Sequence, residues 1–394
     1  MAAMILPDAP WRHMPGIGLL LNALGSSEGL TRVVGGAVRD GLAGQAVKDV
    51  DLATSLSPQD VTQRLAKAHI KSIPTGIAHG TVTAVLSGGT VEITTLRRDV
   101  STDGRRAIVA FTDDWREDAA RRDFSINALY ADPATGKVFD YFGGAEDLAA
   151  GVVRFIGAPL QRIAEDHLRI LRFFRFHARF GRGAPDADSL AACTARANDL
   201  MALSRERIAD ELLKLLALRA PVETVDLMVR SGIFLPVLPE ITRAQPLRAL
   251  VAAESAARVP PSPHRRLSAL LPPDPVLAGN VAHRLKLSKA VNKRLVSAAG
   301  RSQADTVNPQ ELAYRLGKDA AIDRLLLRGD IEAVAAIRDW QVPAFPLSGG
   351  AIVARGVQAG PDVARILKAV ETQWIEEGFP DKVRAEAIAD AHAA

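Results

Sequence analysis

The chain has 394 residues and a net charge of +4, with 48% hydrophobic and 24% charged residues. This is more than one ordinary domain needs, and it is too apolar for a disordered polymer. A single cysteine, Cys193, rules out an intramolecular disulfide, and no apolar run reaches the roughly 18–20 residues of a membrane span.

The opening segment, Met1 to Gly25, lacks both the basic start of a secretory leader and the arginine-rich character of a transit peptide. The expected compartment is therefore the cytoplasm. Leu19–Leu30 reads as a short helix leading into a strand at Arg32–Val34. Next comes Gly35-Gly36-Ala37-Val38-Arg39-Asp40 and, eight residues later, Asp49-Val50-Asp51. The Gly-Gly turn allows backbone amides to approach a phosphate closely. Asp49 and Asp51 sit among Val47, Val50 and Leu52, a strand context in which positions i and i+2 share a face. Two adjacent carboxylates repel each other unless a cation lies between them. One or two carboxylates plus substrate phosphates is the ligand set that suits Mg²⁺. These residues predict metal-dependent nucleotide chemistry.

Ser57-Pro58-Gln59-Asp60 opens a helix with a capping serine and a proline at the first position. Thr81–Leu86 and Thr90–Leu96 are β-rich runs around Ser87-Gly88-Gly89, a hairpin signal. Glu92 alternates with Val91 and Ile93 on the second run. It is a candidate third metal ligand, set against the plainer reading of a surface glutamate. Arg97–Arg106 is polar and contains Gly104, which predicts a mobile loop.

Arg121-Arg122-Asp123-Phe124-Ser125-Ile126-Asn127 follows. A guanidinium fork such as Arg122 matches phosphate oxygens, and Asp123 or Asn127 can bond ribose hydroxyls. After Gly157-Ala158-Pro159 the pattern is helical almost to the end. His167 to Arg182 carries five arginines and no acidic residue, a local basic run fit to meet phosphates. At its start stands Glu165-Asp166-His167-Leu168-Arg169, and on a helix Asp166 and Arg169 would share a face. Cytosine and adenine each present an amino donor beside a ring-nitrogen acceptor; guanine and uracil present the reverse. One carboxylate with one guanidinium can therefore accept CTP and ATP and reject the other two. The competing reading is an ordinary surface ion pair. Val259–Pro275 holds six prolines and reads as a loop or joint, and Pro361–Gly378 as a long amphipathic helix.

In order and spacing these motifs resemble the class II family of tRNA CCA-adding enzymes and bacterial poly(A) polymerases. The family's Gly-Gly-x-Val-Arg-Asp…Asp-x-Asp stands here at Gly35–Asp40 and Asp49–Asp51. Its Arg-Arg-Asp-Phe-Thr-Ile-Asn-Ala stands at Arg121–Ala128, with Ser125 in place of threonine. Its Glu-Asp-x-x-Arg, continued by arginines, stands at Glu165–Arg175. The resemblance covers residues 31–215, and Ser204–Lys214 matches a helix that supports the family's nucleotide pocket. It implies that Gly36 and Arg39 contact the triphosphate and that Arg122, Asp123 and Asn127 bind the nucleotide. Arg172 and Arg175 would meet its phosphates or support the Asp166/Arg169 pair, and Glu165 would orient Arg169. Catalysis would rest on Mg²⁺ at Asp49 and Asp51. The loop after Glu92 resembles one the family uses in passing from C to A addition.

The implied fold is α+β. A small α/β head with a mixed sheet occupies residues 1–150, followed by an all-helical neck (151–220), body (221–330) and tRNA-binding tail (331–394). The implied reaction is template-independent addition or repair of the 3′-terminal CCA of tRNA from CTP and ATP. No membrane and no obligatory protein partner are expected. The alternatives are a poly(A) polymerase, an enzyme adding only CC or only A, and a non-catalytic RNA-binding module.

Overall fold

A computed structural model describes residues 4–47, 49–103 and 106–393. The chain divides into two compact units, Met1–Gln245 with Arg284–Leu287 and Pro246–His283 with Ser288–Ala394.

The first unit is built on a seven-stranded mixed sheet. Its strands are β1 (Thr31–Val34), β2 (Asp51–Thr54), β3 (Lys71–Gly76), β4 (Thr81–Leu86) and β5 (Gly89–Thr95), then β8 (Leu129–Ala131) and β9 (Val138–Asp140). They lie in the order β3-β4-β5-β2-β1-β8-β9. The β2–β5 pair is parallel and the other pairs are antiparallel. Strands β6 (Arg97–Asp103) and β7 (Arg106–Phe111) form a separate two-stranded antiparallel sheet.

The period-two pattern decides which face is buried. Val33, Leu52, Val82, Val91, Ile93 and Leu129 point one way into a core shared with α1 (Ile17–Ala23), α2 (Gly36–Leu42) and α3 (Pro58–Lys67). Helix α3 starts as its sequence predicts, with Ser57 accepting the Asp60 amide at 3.1 Å and Pro58 in the first turn. The opposite face carries one aligned row across the sheet, in the order Glu92, Asp51, Val34, Tyr130, Phe139. Helices α4 (Trp115–Ala120) and α5 (Gly144–Ala150) flank this part of the chain.

Helices α6 (Pro159–Glu165), α7 (Arg169–Phe180), α8 (Ala187–Ala195), α9 (Arg205–Leu216) and α10 (Val222–Arg230) complete the first unit. Phe124 ties the head to α7, packing against Phe155, Phe173 and Phe176 with ring centroids 4.8–6.4 Å apart.

The second unit is helical, from α11 (Gln245–Ala256) through α12 (Pro263–Leu270), α13 (Pro275–Arg284), α14 (Lys289–Ala299) and α15 (Pro309–Leu316). It continues with α16 (Lys318–Arg328), α17 (Ile331–Arg338), α18 (Gly349–Val353), α19 (Pro361–Glu376) and α20 (Lys382–Ala393). Among the described residues no helix is long and apolar enough to cross a membrane.

Three expectations are corrected. The segment read as a mobile loop pairs as β6 and β7, although Gly104 and Arg105 lie outside the described residues. The proline-rich stretch contains α12, because Ser262 caps it and Pro263 occupies the first turn, where a missing N–H costs nothing. The helix expected over Leu19–Leu30 ends at Ala23, since Gly25 and Gly29 adopt left-handed backbone.

The second unit buries an ionic knot. Glu254 accepts from Arg265 at 2.7 Å and from Arg266 at 2.8 Å, and Asp323 accepts from Arg265 at 3.1 Å, all four side chains at most 3% exposed. Buried charges survive only when paired. Glu254→Gln leaves two buried guanidiniums short of charge, so a loss of about 3–5 kcal/mol is expected in thermal or denaturant unfolding. A change below about 1 kcal/mol would show that the knot is not held by its ion pairs.

Candidate active site

The polar face of the sheet and the start of α7 enclose a cavity of about 560 Å³. Gly35 joins β1 to α2 with φ 65° and ψ −118°, a conformation that side-chain-bearing residues rarely adopt. The turn brings Gly35 and Gly36 to the cavity wall.

Asp51 opens β2 and is the register partner of Val34 on one side and Glu92 on the other. Asp51 and Glu92 both line the cavity. Asp49 is exposed, precedes the strand and does not line it. The Asp51 side chain opens to the cavity, yet its carboxyl is raised above its ordinary value, first by partial desolvation, then by Glu92 and Asp49, against the pull of Arg122. These carboxylates repel one another, and a divalent cation bound among them would remove that cost. Among the described residues no three acidic, histidine or cysteine side chains form a ready-made metal cage. The donors fit a hard cation that takes its remaining ligands from phosphate and water.

Arg39 is 6% exposed. It donates to Asp40 at 2.7–2.8 Å and to the Asn127 carbonyl at 2.5 Å, and it lies over the rings of Phe176 and Phe180. The Asn127 amide donates to Asp123 Oδ1 at 2.9 Å, and Arg172 from α7 grips Asp123 Oδ2 at 2.6–2.7 Å. Burial alone would raise the Asp123 carboxyl, but Arg172 and Asn127 carry it below its ordinary value. Arg121 and Arg122 share Asp118, which also accepts from the Tyr130 hydroxyl at 2.6 Å. Arg39, Arg121, Arg122, Asp123, Asn127 and Arg172 all line the cavity. Ser125 does not; it donates to the buried Asp147, so its hydroxyl is structural.

Asp166 and Arg169 reach the cavity by a route the sequence did not predict. Helix α6 ends at Glu165, Asp166 is extended (φ −154°, ψ 107°) and α7 begins at Arg169. The break is stabilised by Asp166 itself, which accepts the Leu168 amide at 3.1 Å and Arg207 of α9 at 2.7 Å. Arg169 donates to Glu165, to the Arg162 carbonyl at 2.9 Å and to the Arg121 carbonyl at 3.3 Å. Arg162 bonds Glu165 and the carbonyls of Ala120 and Arg122 at 2.8–2.9 Å, fastening this break to the arginine motif. Arg175 lies outside the cavity lining, against Glu211 at 2.5 Å and over Phe176.

Sequence reasoning missed Thr81, Thr94, Arg97 and Arg121 as lining residues, and Asp118 and Arg162 as their supports. The period of β5 could have found Thr94, two residues from Glu92. The i, i+3 and i+4 spacing could have found Asp118 before Arg121 and Arg122. The lining sets the cations Arg39, Arg97, Arg121, Arg122, Arg169 and Arg172 against Asp51, Glu92, Asp123 and Asp166. A net cationic cleft with a carboxylate pair in its floor can hold a polyphosphate across a metal-binding edge.

Comparison with known proteins agrees with this geometry. Residues 31–154 match the model of the poly A polymerase head domain, and residues 184–245 match a probable RNA and SrmB-binding site of polymerase A. The chain is 34% identical over 365 residues to CCA tRNA nucleotidyltransferase 1, mitochondrial, of Danio rerio, covering 87% of this chain and 83% of that protein. It is 35% identical over 370 residues to its counterpart in Mus musculus, covering 88% and 83%. Among solved structures, the Bacillus stearothermophilus CCA-adding enzyme in complex with CTP superposes with a TM-score of 0.73 at 27% identity, covering 92% of this chain and 93% of that one.

Asp118 gives this site a measurable acid dependence. It is 1% exposed, and although burial opposes ionisation, Arg122 and Arg121 lower its carboxyl from 3.8 to about 2. A depressed folded-state value stabilises the fold above the unfolded value, and this contribution is lost as pH falls from about 4 towards 2. Asp118→Asn should therefore cost about 2 kcal/mol at pH 7, and the deficit should shrink below pH 4. Unfolding curves at pH 7 and pH 3 make the test, and an unchanged deficit would refute the ion-pair account.

Proposed function

The chain belongs to the CCA tRNA nucleotidyltransferase family, and on that premise we propose that it adds or repairs the 3′-terminal CCA of tRNA without a template. CTP and ATP are the nucleotide substrates and pyrophosphate is released. The observation that carries this reading is the convergence of Asp51, Glu92, Asp166 and Arg169 on one cavity.

Gly36 and Arg39, with Arg122, receive the triphosphate, where a fixed guanidinium complements phosphate charge without reorganising. Asp123 and Asn127 accompany the ribose. Asp166 accepts the base amino group and Arg169 donates to the ring nitrogen, the pattern shared by cytosine and adenine. Arg172 neutralises Asp123 and borders the nucleotide, while Arg175 supports it through Glu211 and Phe176. Asp49 and Asp51, with Glu92, would hold Mg²⁺, which when bound would make the attacking hydroxyl more acidic and neutralise charge on the leaving pyrophosphate. The tRNA 3′-oxygen bonds to the α-phosphorus as the bond to the bridging oxygen breaks. In this reading residues 1–150 form the catalytic head and residues 151–220 carry base choice. Residues 221–330 and 331–394 engage tRNA through backbone shape and charge, so binding weakens with salt. The single cysteine, Cys193, is buried and free, which is compatible with a reducing compartment, and we assign the cytoplasm.

The decisive assay offers Mg²⁺, CTP and ATP to tRNA transcripts ending before CCA, after C and after CC. The expected result is completion to CCA and then arrest; long A tails would move the reading to a poly(A) polymerase. Asp51→Ala should reduce transfer at least about 10³-fold while tRNA binding persists. Asp166→Ala should admit GTP or UTP before chemistry is lost. If such a variant still excludes both completely, Asp166 is not the base reader.

A further inference from the structure

The cavity extends beyond the carboxylates into a region to which the nucleotide reading assigns nothing. Past Glu92 its wall is Thr94 on β5, Thr81 on β4 and Arg97 at the start of β6. Thr81 and Thr94 are register partners with hydroxyl oxygens 3.3 Å apart, and Thr94 shares Glu92's face of the strand. Arg97 is held by the His79 carbonyl, and its amide donates to Asp118 at 3.2 Å. Its register partner across the hairpin is Phe111, 46% exposed. The Phe111 ring edge lies so close to Gly80, next to Thr81, that a Cβ on Gly80 would meet it at 2.8 Å.

In-line transfer places the attacking oxygen and the leaving group on opposite sides of the phosphorus. The strand order fixes which side is which. On the β1 side of Asp51 lie Gly35, Gly36, Arg39 and Arg122, with the charge that a triphosphate and a departing pyrophosphate need. On the β5 and β4 side lie two hydroxyls, one guanidinium and an exposed aromatic ring. That is too little positive charge for pyrophosphate. It suits a ribose, one phosphodiester and one stacked base. Stacking is indifferent to base identity, as an acceptor site must be when its terminal nucleotide changes at every addition.

We propose that Thr81, Thr94, Arg97 and Phe111 form the subsite for the 3′-terminal nucleotide of the acceptor RNA. The proposal rests on the nucleotidyl-transfer reading above. Thr81 and Thr94 bind the terminal ribose, Arg97 the phosphodiester before it, and Phe111 stacks on the base.

Two measurements on the full-length protein test it. The first is steady-state kinetics of Arg97→Gln, Thr94→Val and Phe111→Ala, varying CTP and a tRNA ending before CCA separately. Loss of a charge-assisted bond predicts a KM for tRNA about 10-fold higher in Arg97→Gln, with the KM for CTP within about 2-fold. Arg97→Lys and Thr94→Ser should recover part of the loss, which a folding defect would not. A rise confined to the KM for CTP, or no change in either, overturns the proposal. The second measurement needs no turnover: the same tRNA carrying 4-thiouridine as its last nucleotide is photo-crosslinked and the peptides identified. Crosslinks within residues 80–97 or at Phe111 support the subsite, and crosslinks found only elsewhere refute it. A wild-type protein that crosslinks there but adds no nucleotide would sink the transferase reading while leaving the acceptor subsite standing.

Discussion

Asp123 is the carboxylate on which the geometry of the site depends. It is 8% exposed, accepts from the Phe124 amide and from Asn127, and is clamped by Arg172 of α7. Through Asn127 it reaches Arg39, through Arg39 it reaches Asp40, and Asp40 returns to α7 by Arg179 at 2.8 Å. A buried charge that loses its partner costs several kcal/mol, so α7 cannot slide along the sheet without breaking both ends of this loop. The distance between the carboxylates of the floor and the arginines of α7 is thereby set by electrostatics as well as by the phenylalanine core beneath.

A second constraint is opposite in sign. Desolvation raises the Asp51 carboxyl first, and its strand-register alignment with Glu92 adds to the rise. The fold stabilises each of these strands through its apolar face, and the repulsion on the polar face is tolerated because the core outweighs it. Function takes precedence over local stability at this point, as active sites generally show. The α+β architecture follows from the same division. The Asp51 face is reactive at one end and apolar at the other, where Val34, Ala53 and Tyr130 pack with Ala119 of α4, so the site is left open beside a second small core.

Much of this was legible in the chain. The strand carrying Val91 and Ile93 announces which way Glu92 points, and the order of the three polar motifs anticipates their meeting at one cavity. What failed was local: Asp166 and Arg169 were placed on one continuous helix, whereas Asp166 ends it by accepting the Leu168 amide. An aspartate's competition with the helix for backbone donors is a known ambiguity, and the deciding partner, Arg207, lies forty-one residues away. The β6–β7 hairpin was hidden for another reason. Its first strand is almost wholly polar and its second almost wholly apolar, so neither alternates as a half-buried strand of the main sheet would. Arg162 was invisible because its partners are mostly main-chain carbonyls, which no side-chain pattern encodes.

The ring of Phe176 carries a consequence of its own. Three guanidiniums face it, those of Arg39, Arg172 and Arg175, at 5.0, 5.2 and 4.4 Å from its centroid. An aromatic face attracts cations without bearing a negative charge. Carboxylates hold the outer edges of these guanidiniums, Asp40 for Arg39, Asp123 for Arg172 and Glu211 for Arg175, while the ring occupies the space between them. Phe176 adds to those pairs a neutral surface on which three guanidiniums meet without a further carboxylate to offset them. A leucine of similar volume would fill the same space yet remove that tolerance. The arrangement of cations at this cleft thus depends on an uncharged residue as well as on the carboxylates that pair with them.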